Sequence, residues 1–245
     1  MTVTAAAWEL ILAFADDELI MGHRHSEWLG VAPYMEEDLA FASIAQDELG
    51  HARALYGLLT DDLDALAFGR PSSEYRSCWL VELPTTLWED ALVRHVLYDT
   101  AERIRWDALR ESSVEGLSGV AAKALREERY HRRHAYSVLE RMLAGTKESR
   151  ERIEAALARV VPFARGLFEP TKGEPEALAE GVISDPAEEL GRRWREEVEP
   201  LFGQMQVDWS AASGSGGRQG VRSEHFQGLF AVMTDVLAAD PSATW

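Results

Sequence analysis

The sequence predicts an all-α, ferritin-like four-helix bundle with one long crossover between its second and third helices and further helices after the fourth. Three observations predict it. Long segments carry apolar residues at spacings of three and four, the period of a helix with one buried face. Period-two alternation bounded by turn clusters hardly occurs. Among the first four helical segments two links are short and one is long, the connectivity of a bundle with a single crossover.

The first helix is expected from about Thr4 to Arg24, with Ala7, Ile11, Phe14 and Met21 on one stripe. The second, from about Pro33 to Leu59, is striped by Phe41, Ile44, Leu55 and Leu58, and Pro33 suits a first helical turn. Thr60 to Thr86, with Gly69, Pro71 and Pro84, is the crossover. A third helix is expected from about Leu87 to Glu111, with Ala91, Tyr98, Trp106 and Leu109 on one face. Gly116 and Gly119 mark the turn before the fourth, about Val120 to Leu143, which stops at Gly145. Further helices are expected at about Glu148 to Leu167, from Pro186 to Val198 and beyond, and from Ser223 to Ala239, with Ser213 to Gly217 a flexible loop by composition. Residues 1–245 read as one domain, with a core of about 4–145 and a helical extension of about 146–245.

Charge excludes some functions. The chain has 245 residues, 25 of them Lys or Arg against 42 Asp or Glu, for a net charge of −17. So acidic a chain lacks the clustered cations that hold phosphate backbones, which excludes nucleic acid as a partner. No apolar run approaches the roughly 20 residues of a membrane span. The first residues have no basic stretch of the kind that opens a signal peptide. With Cys78 as the single cysteine no internal disulfide is possible, and a reducing, cytoplasmic location is expected.

Position makes four of the acidic residues unusual. Glu18 stands between Phe14 and Met21 on the first stripe, Glu48 and His51 between Ile44 and Leu55 on the second, Glu102 between Tyr98 and Trp106 on the third, and Glu128 and His131 between Ala124 and Ala135 on the fourth. An ionised carboxylate facing a bundle core costs several kcal/mol unless paired or metal-bound. Glu48 with His51, and Glu128 with His131, are Glu-x-x-His pairs whose members share one helix face. With one glutamate from each remaining helix they complete the ligand pattern of carboxylate-bridged two-metal bundles. Oxygen donors with one imidazole per ion suit iron or manganese better than thiolate-seeking structural zinc. Glu18, Glu48 and His51 are assigned to one ion and Glu102, Glu128 and His131 to the other, with the bridging glutamates undetermined by spacing. Blander assignments stand beside these. Glu18 adjoins Asp16 and Asp17 and could share a solvated face with them; Asp99 and Glu89 rival Glu102; and the two Glu-x-x-His pairs could be buried hydrogen bonds without metal. His23, His25, His95 and His134 read as structural or surface histidines, His134 also standing one turn from His131, where it could support it. Tyr98 and Trp106 read as core residues.

Several blocks resemble the C-type family of phenylacetyl-CoA epoxidase subunits, PaaC. They are residues 22–30, followed by Ala32, Pro33 and Glu36-Glu37-Asp38-Leu39-Ala40; residues 44–53; the segments around Phe68-Gly69-Arg70 and Glu82-Leu83-Pro84; Glu127-Glu128-Arg129-Tyr130-His131; and, near the C-terminus, Gly220-Val221-Arg222-Ser223-Glu224-His225. The resemblance implies a ferritin-like subunit of a bacterial multicomponent monooxygenase that epoxidises the aromatic ring of phenylacetyl-CoA with O2 and reductase-supplied electrons. It implies an A-type catalytic subunit as partner, other subunits of the same complex around it, and a scaffolding role for this chain; self-association is left open. Many C-type subunits lack a complete ligand set, whereas all six ligand types stand in this sequence, so two iron or manganese ions are expected. Two other functions compete, an autonomous di-iron or di-manganese oxidase or oxygenase and a metal-free helical structural protein. No phosphate-cradling motif for CoA is visible, and the Arg-rich runs at Arg126, Arg129, Arg132 and Arg133 and at Arg192, Arg193 and Arg195 read as solvated helix faces.

Overall fold

Thr4 starts the first helix by accepting a hydrogen bond from the Ala7 N–H at 3.2 Å, which satisfies one of the free amides of the opening turn. The computed structural model describes residues 3–203, 205–211 and 214–240. Helices α1 (Ala5–Ser26) and α2 (Met35–Tyr56) form one hairpin, α5 (Trp88–Ala108) and α6 (Leu117–Ala144) a second, and α2 meets α6 across the bundle. Gly22 of α1 lets the first hairpin close tightly, because a Cβ there would stand 2.9 Å from Cγ of Leu49. Among the described residues there is no strand, as the periodicity predicts, and no helix is long and apolar enough to cross a membrane.

The crossover lies where expected but is not featureless. It contains two short helices, α3 (Leu63–Phe68) and α4 (Trp79–Glu82). After the bundle, α7 (Lys147–Ala164) packs on α5, a short α8 (Glu174–Ala179) meets α1, and α9 (Ala187–Val198) returns to α5. The helix expected at 223–239 is broken at Thr234 into α10 (Phe226–Met233) and α11 (Asp235–Ala239). Ser213, the first residue of the expected glycine-serine loop, lies outside the described residues.

Two neighbouring aspartates of α1 tie the remote segments to the bundle. Asp16 receives hydrogen bonds from Tyr56 at 2.6 Å, from the Arg76 amide at 2.6 Å and from Arg70. Asp17 receives the Cys78 amide at 2.8 Å, Arg105 at 2.7 Å and Arg218 at 2.6 Å. The crossover and the C-terminal segment therefore converge on α1 at the level of Glu18. Asp16, Asp17 and Glu18 are all fully buried, so the solvated-face alternative does not describe this turn.

Candidate metal centre

Glu18, Glu48, His51, Glu128 and His131 converge in the bundle interior, all five at most 1% exposed. Their donor atoms form two overlapping sets, Glu18 with Glu48 and His51, and Glu48 with Glu128 and His131; within each set the atoms lie within 4.8 Å of one another. Glu48 belongs to both. Spacing leaves the bridging residue undetermined, and the geometry puts Glu48 in the shared position.

Glu102 does not join them. It is as buried as the others, but its Oε1 is taken by the guanidinium of Arg105, which also holds Asp17. The reason is local: Arg105 lies three residues further along α5, on the same face, and a buried cation finds its nearest carboxylate. The α5 carboxylate that acts electrostatically on the cluster is Asp99, one turn earlier, which bears on Glu48, Glu128 and His131.

The two histidines are held from outside. Each turns Nδ1 inward, His51 to Glu18 at 3.1 Å and His131 to Glu128 at 3.2 Å. Each turns Nε2 outward to an acidic residue on the opposite helix, His51 to Glu127 at 2.8 Å and His131 to Asp47 at 3.1 Å. An outer carboxylate of this kind fixes a ring's orientation and raises its basicity as a ligand. Sequence reasoning does not single out Asp47 or Glu127. Their only signal is shared position: each immediately precedes the glutamate of a Glu-x-x-His pair. Trp106 packs against His51 with ring centroids 5.5 Å apart, and the Tyr98 hydroxyl donates to Glu18 at 3.2 Å.

Electrostatics record a crowd of carboxylates. Burial, reinforced by Glu18, pushes Glu48 well above the ordinary carboxylate range, and burial also raises Glu128 and takes Asp99 to about 8. Burial would raise Glu18 as well, but Glu48 and His51 outweigh it and hold Glu18 low. For the imidazoles burial works downward and the carboxylates win, lifting His51 to about 9 and His131 to about 11. Both oxygens of Glu48, both of Asp99 and Oε2 of Glu128 have no hydrogen-bond partner. Orphaned carboxylate oxygens this deep are the donor set a hard divalent cation requires, so the residues present fit a metal centre.

A ferritin-like bundle with an interior cluster of glutamates and histidines defines the class of this protein. Residues 2–245 match the model of the family described as Phenylacetic acid catabolic protein, and the chain belongs to that family. It is 31% identical over 241 residues to the C-type subunit of 1,2-phenylacetyl-CoA epoxidase from Escherichia coli (strain K12), an alignment that covers 96% of this chain and 97% of that protein.

Proposed function

We propose that this chain is the C-type subunit of a multicomponent phenylacetyl-CoA epoxidase, standing beside a catalytic A-type partner and holding two iron or manganese ions of its own. The assembly reading is supported by identity spread over nearly the whole of both chains. The metal reading is carried by one observation: Glu48, fully buried and with neither oxygen accepting an aligned hydrogen bond, is common to both sets of donor atoms. Glu18, Glu48 and His51 would hold one ion and Glu48, Glu128 and His131 the other. Such a pair of ions, when bound, supplies two electrons to O2.

The chain's own residues set the conditions. Asp47 and Glu127 orient the imidazoles, Trp106 packs on His51 and Tyr98 donates to Glu18. On the Arg-rich helix faces Arg132 is paired with Glu197, Arg192 with Glu189 and Glu196, and Arg195 with Glu199, whereas Arg126, Arg129 and Arg133 are exposed and enter no ion pair among the described residues.

Metal analysis tests the centre. Protein loaded anaerobically with Fe(II) and desalted should retain about two ions per chain, and Glu48→Ala should retain neither. Wild-type protein that keeps none overturns the metal reading. Co-expression with an A-type partner should yield a stable complex, and a chain that elutes without it overturns the assembly reading.

A further inference from the structure

Three histidines outside the metal-ligand set gather at one end of the cluster. His95 is fully buried on α5, and its Nε2 lies 3.2 Å from Nδ1 of His134 on α6. Nε2 of His134 lies 2.7 Å from Oε2 of Glu37 on α2, and the other oxygen of Glu37 accepts from Arg141 at 2.6 Å. The Arg141 side chain is 64% exposed. At the inner end, Nδ1 of His95 stands 3.0 Å from Oδ2 of Asp99, within transfer distance, though neither atom makes an aligned hydrogen bond. The relay atoms thus form a continuous line from Asp99 to Glu37, whose side chain is 5% exposed beside Arg141. His25, the third histidine, packs edge-on against His95 at 5.0 Å between centroids, but neither of its ring nitrogens has a partner.

We infer that Glu37, His134 and His95 form a proton path between the surface and Asp99, the buried carboxyl beside the candidate metal centre. The inference draws its purpose from the metal reading, but the path itself stands on the metal-free chain. Loading cations onto a buried set of carboxyl and imidazolium groups must discharge protons. The His51–Glu127 and His131–Asp47 pairs could not carry later protons inward once Nδ1 of each ring held an ion, because that nitrogen would have no lone pair left to take a proton. The His134 to His95 line contains no candidate ligand and remains open.

Each group has a role consistent with its surroundings. Asp99 holds a proton near neutrality, its value raised by burial to about 8. Burial keeps both relay imidazoles neutral, with His95 at about 3 and His134 at about 4. His131, Glu18 and Arg132 act on Asp99; His131, Glu128 and Arg94 act on His95; His95, Glu37 and Arg141 act on His134. With Glu37 ionised, His134 donates to it from Nε2 and His95 donates to His134 from Nε2, so Nδ1 of His95 is free to take a proton from Asp99. For one outward transfer the Asp99 O–H, the His95 Nε2–H and the His134 Nε2–H bonds break. New bonds form at His95 Nδ1, His134 Nδ1 and Glu37 Oε2. Both rings stay neutral with exchanged tautomers, Glu37 loses the proton to water, and the reverse sequence resets the line.

Infrared difference spectroscopy of the metal-free chain on transfer to D2O tests the path. The C=O stretch of protonated Asp99, identified by its loss in Asp99→Asn, should shift quickly in the wild type and at least about tenfold more slowly in His134→Gln and in His95→Phe. His25→Phe, which perturbs the same packing without breaking the line, should exchange at the wild-type rate. Loosened packing would speed exchange, so slower exchange has the sign of a lost relay. Wild-type rates in both relay variants, equal slowing in His25→Phe, or no Asp99 band at neutral pH would each overturn the proposal. The readout needs no metal, so its failure is distinguishable from failure of metal binding.

Discussion

Asp47 on α2 lies 3.1 Å from Nε2 of His131 on α6, and Glu127 on α6 stands in the same relation to His51 on α2. The support of each candidate ligand therefore comes from the other hairpin. Asp47→Asn and Glu127→Gln should each weaken Mn(II) binding by about 10–100-fold while leaving the helical content unchanged. Calorimetric titration measures this, and unaltered affinity in both variants would show that the rings are oriented without their outer partners.

Glu48 and Glu102 should part company. Glu48→Gln replaces a carboxyl that folding forces to keep its proton by a neutral group of the same shape. The metal-free chain should become more stable at pH 7 while losing its ions, the trade expected where function demands a strained site. Glu102→Gln should keep the ions and cost about 1–3 kcal/mol in urea unfolding, because Arg105 loses one of its two buried carboxylates.

His25 sets a pH dependence. Burial first, then the neighbouring His95 and Arg94, hold its imidazole well below the usual value, so the native chain keeps it neutral while the unfolded chain protonates it below about 6.5. The unfolded state then binds the extra proton, and stability falls as pH drops below that point. His25→Phe removes this contribution. Its stability relative to wild type should rise by about 1.4 kcal/mol for each pH unit below 6.5, down to the depressed native value. Parallel denaturation curves at every pH would refute it.

Arg218 fastens the C-terminal segment to the bundle, donating to Asp17 and to the carbonyls of Ala13 and Arg76 at 3.1 and 2.9 Å. Removing one partner of a buried ion pair costs about 3–5 kcal/mol, so Arg218→Ala should unfold at markedly lower urea and expose residues 214–222 to limited proteolysis. An unchanged cleavage pattern would mean that Arg222, which binds Glu82 at 2.7 Å, holds the segment alone.

The bundle is legible in the sequence because its helices are long and each is striped at spacings of three and four. Glu18, Glu48, His51, Glu128 and His131 are legible because polar residues interrupt those stripes. Glu102 interrupts its stripe too, and nothing in spacing reveals that Arg105 claims it. Asp99 stands one residue off the α5 stripe, yet a bundle interior wide enough to seat a cluster admits it. Asp47 and Glu127 sit where a surface carboxylate ordinarily would, and their role exists only once α2 faces α6. The partners of Asp16 and Asp17 are out of reach for a different reason. Arg70, Arg105 and Arg218 come from three distant segments, and only tertiary structure brings them to one turn of α1.

The two donor sets differ in origin. Glu18, Glu48 and His51 all belong to the α1 and α2 hairpin, whereas the second set takes Glu48 from α2 and Glu128 and His131 from α6. On the metal reading proposed above, a chain refolding in the presence of cation would seat the first ion as soon as one hairpin has closed. The second would wait until the hairpins dock, so its arrival would report that docking.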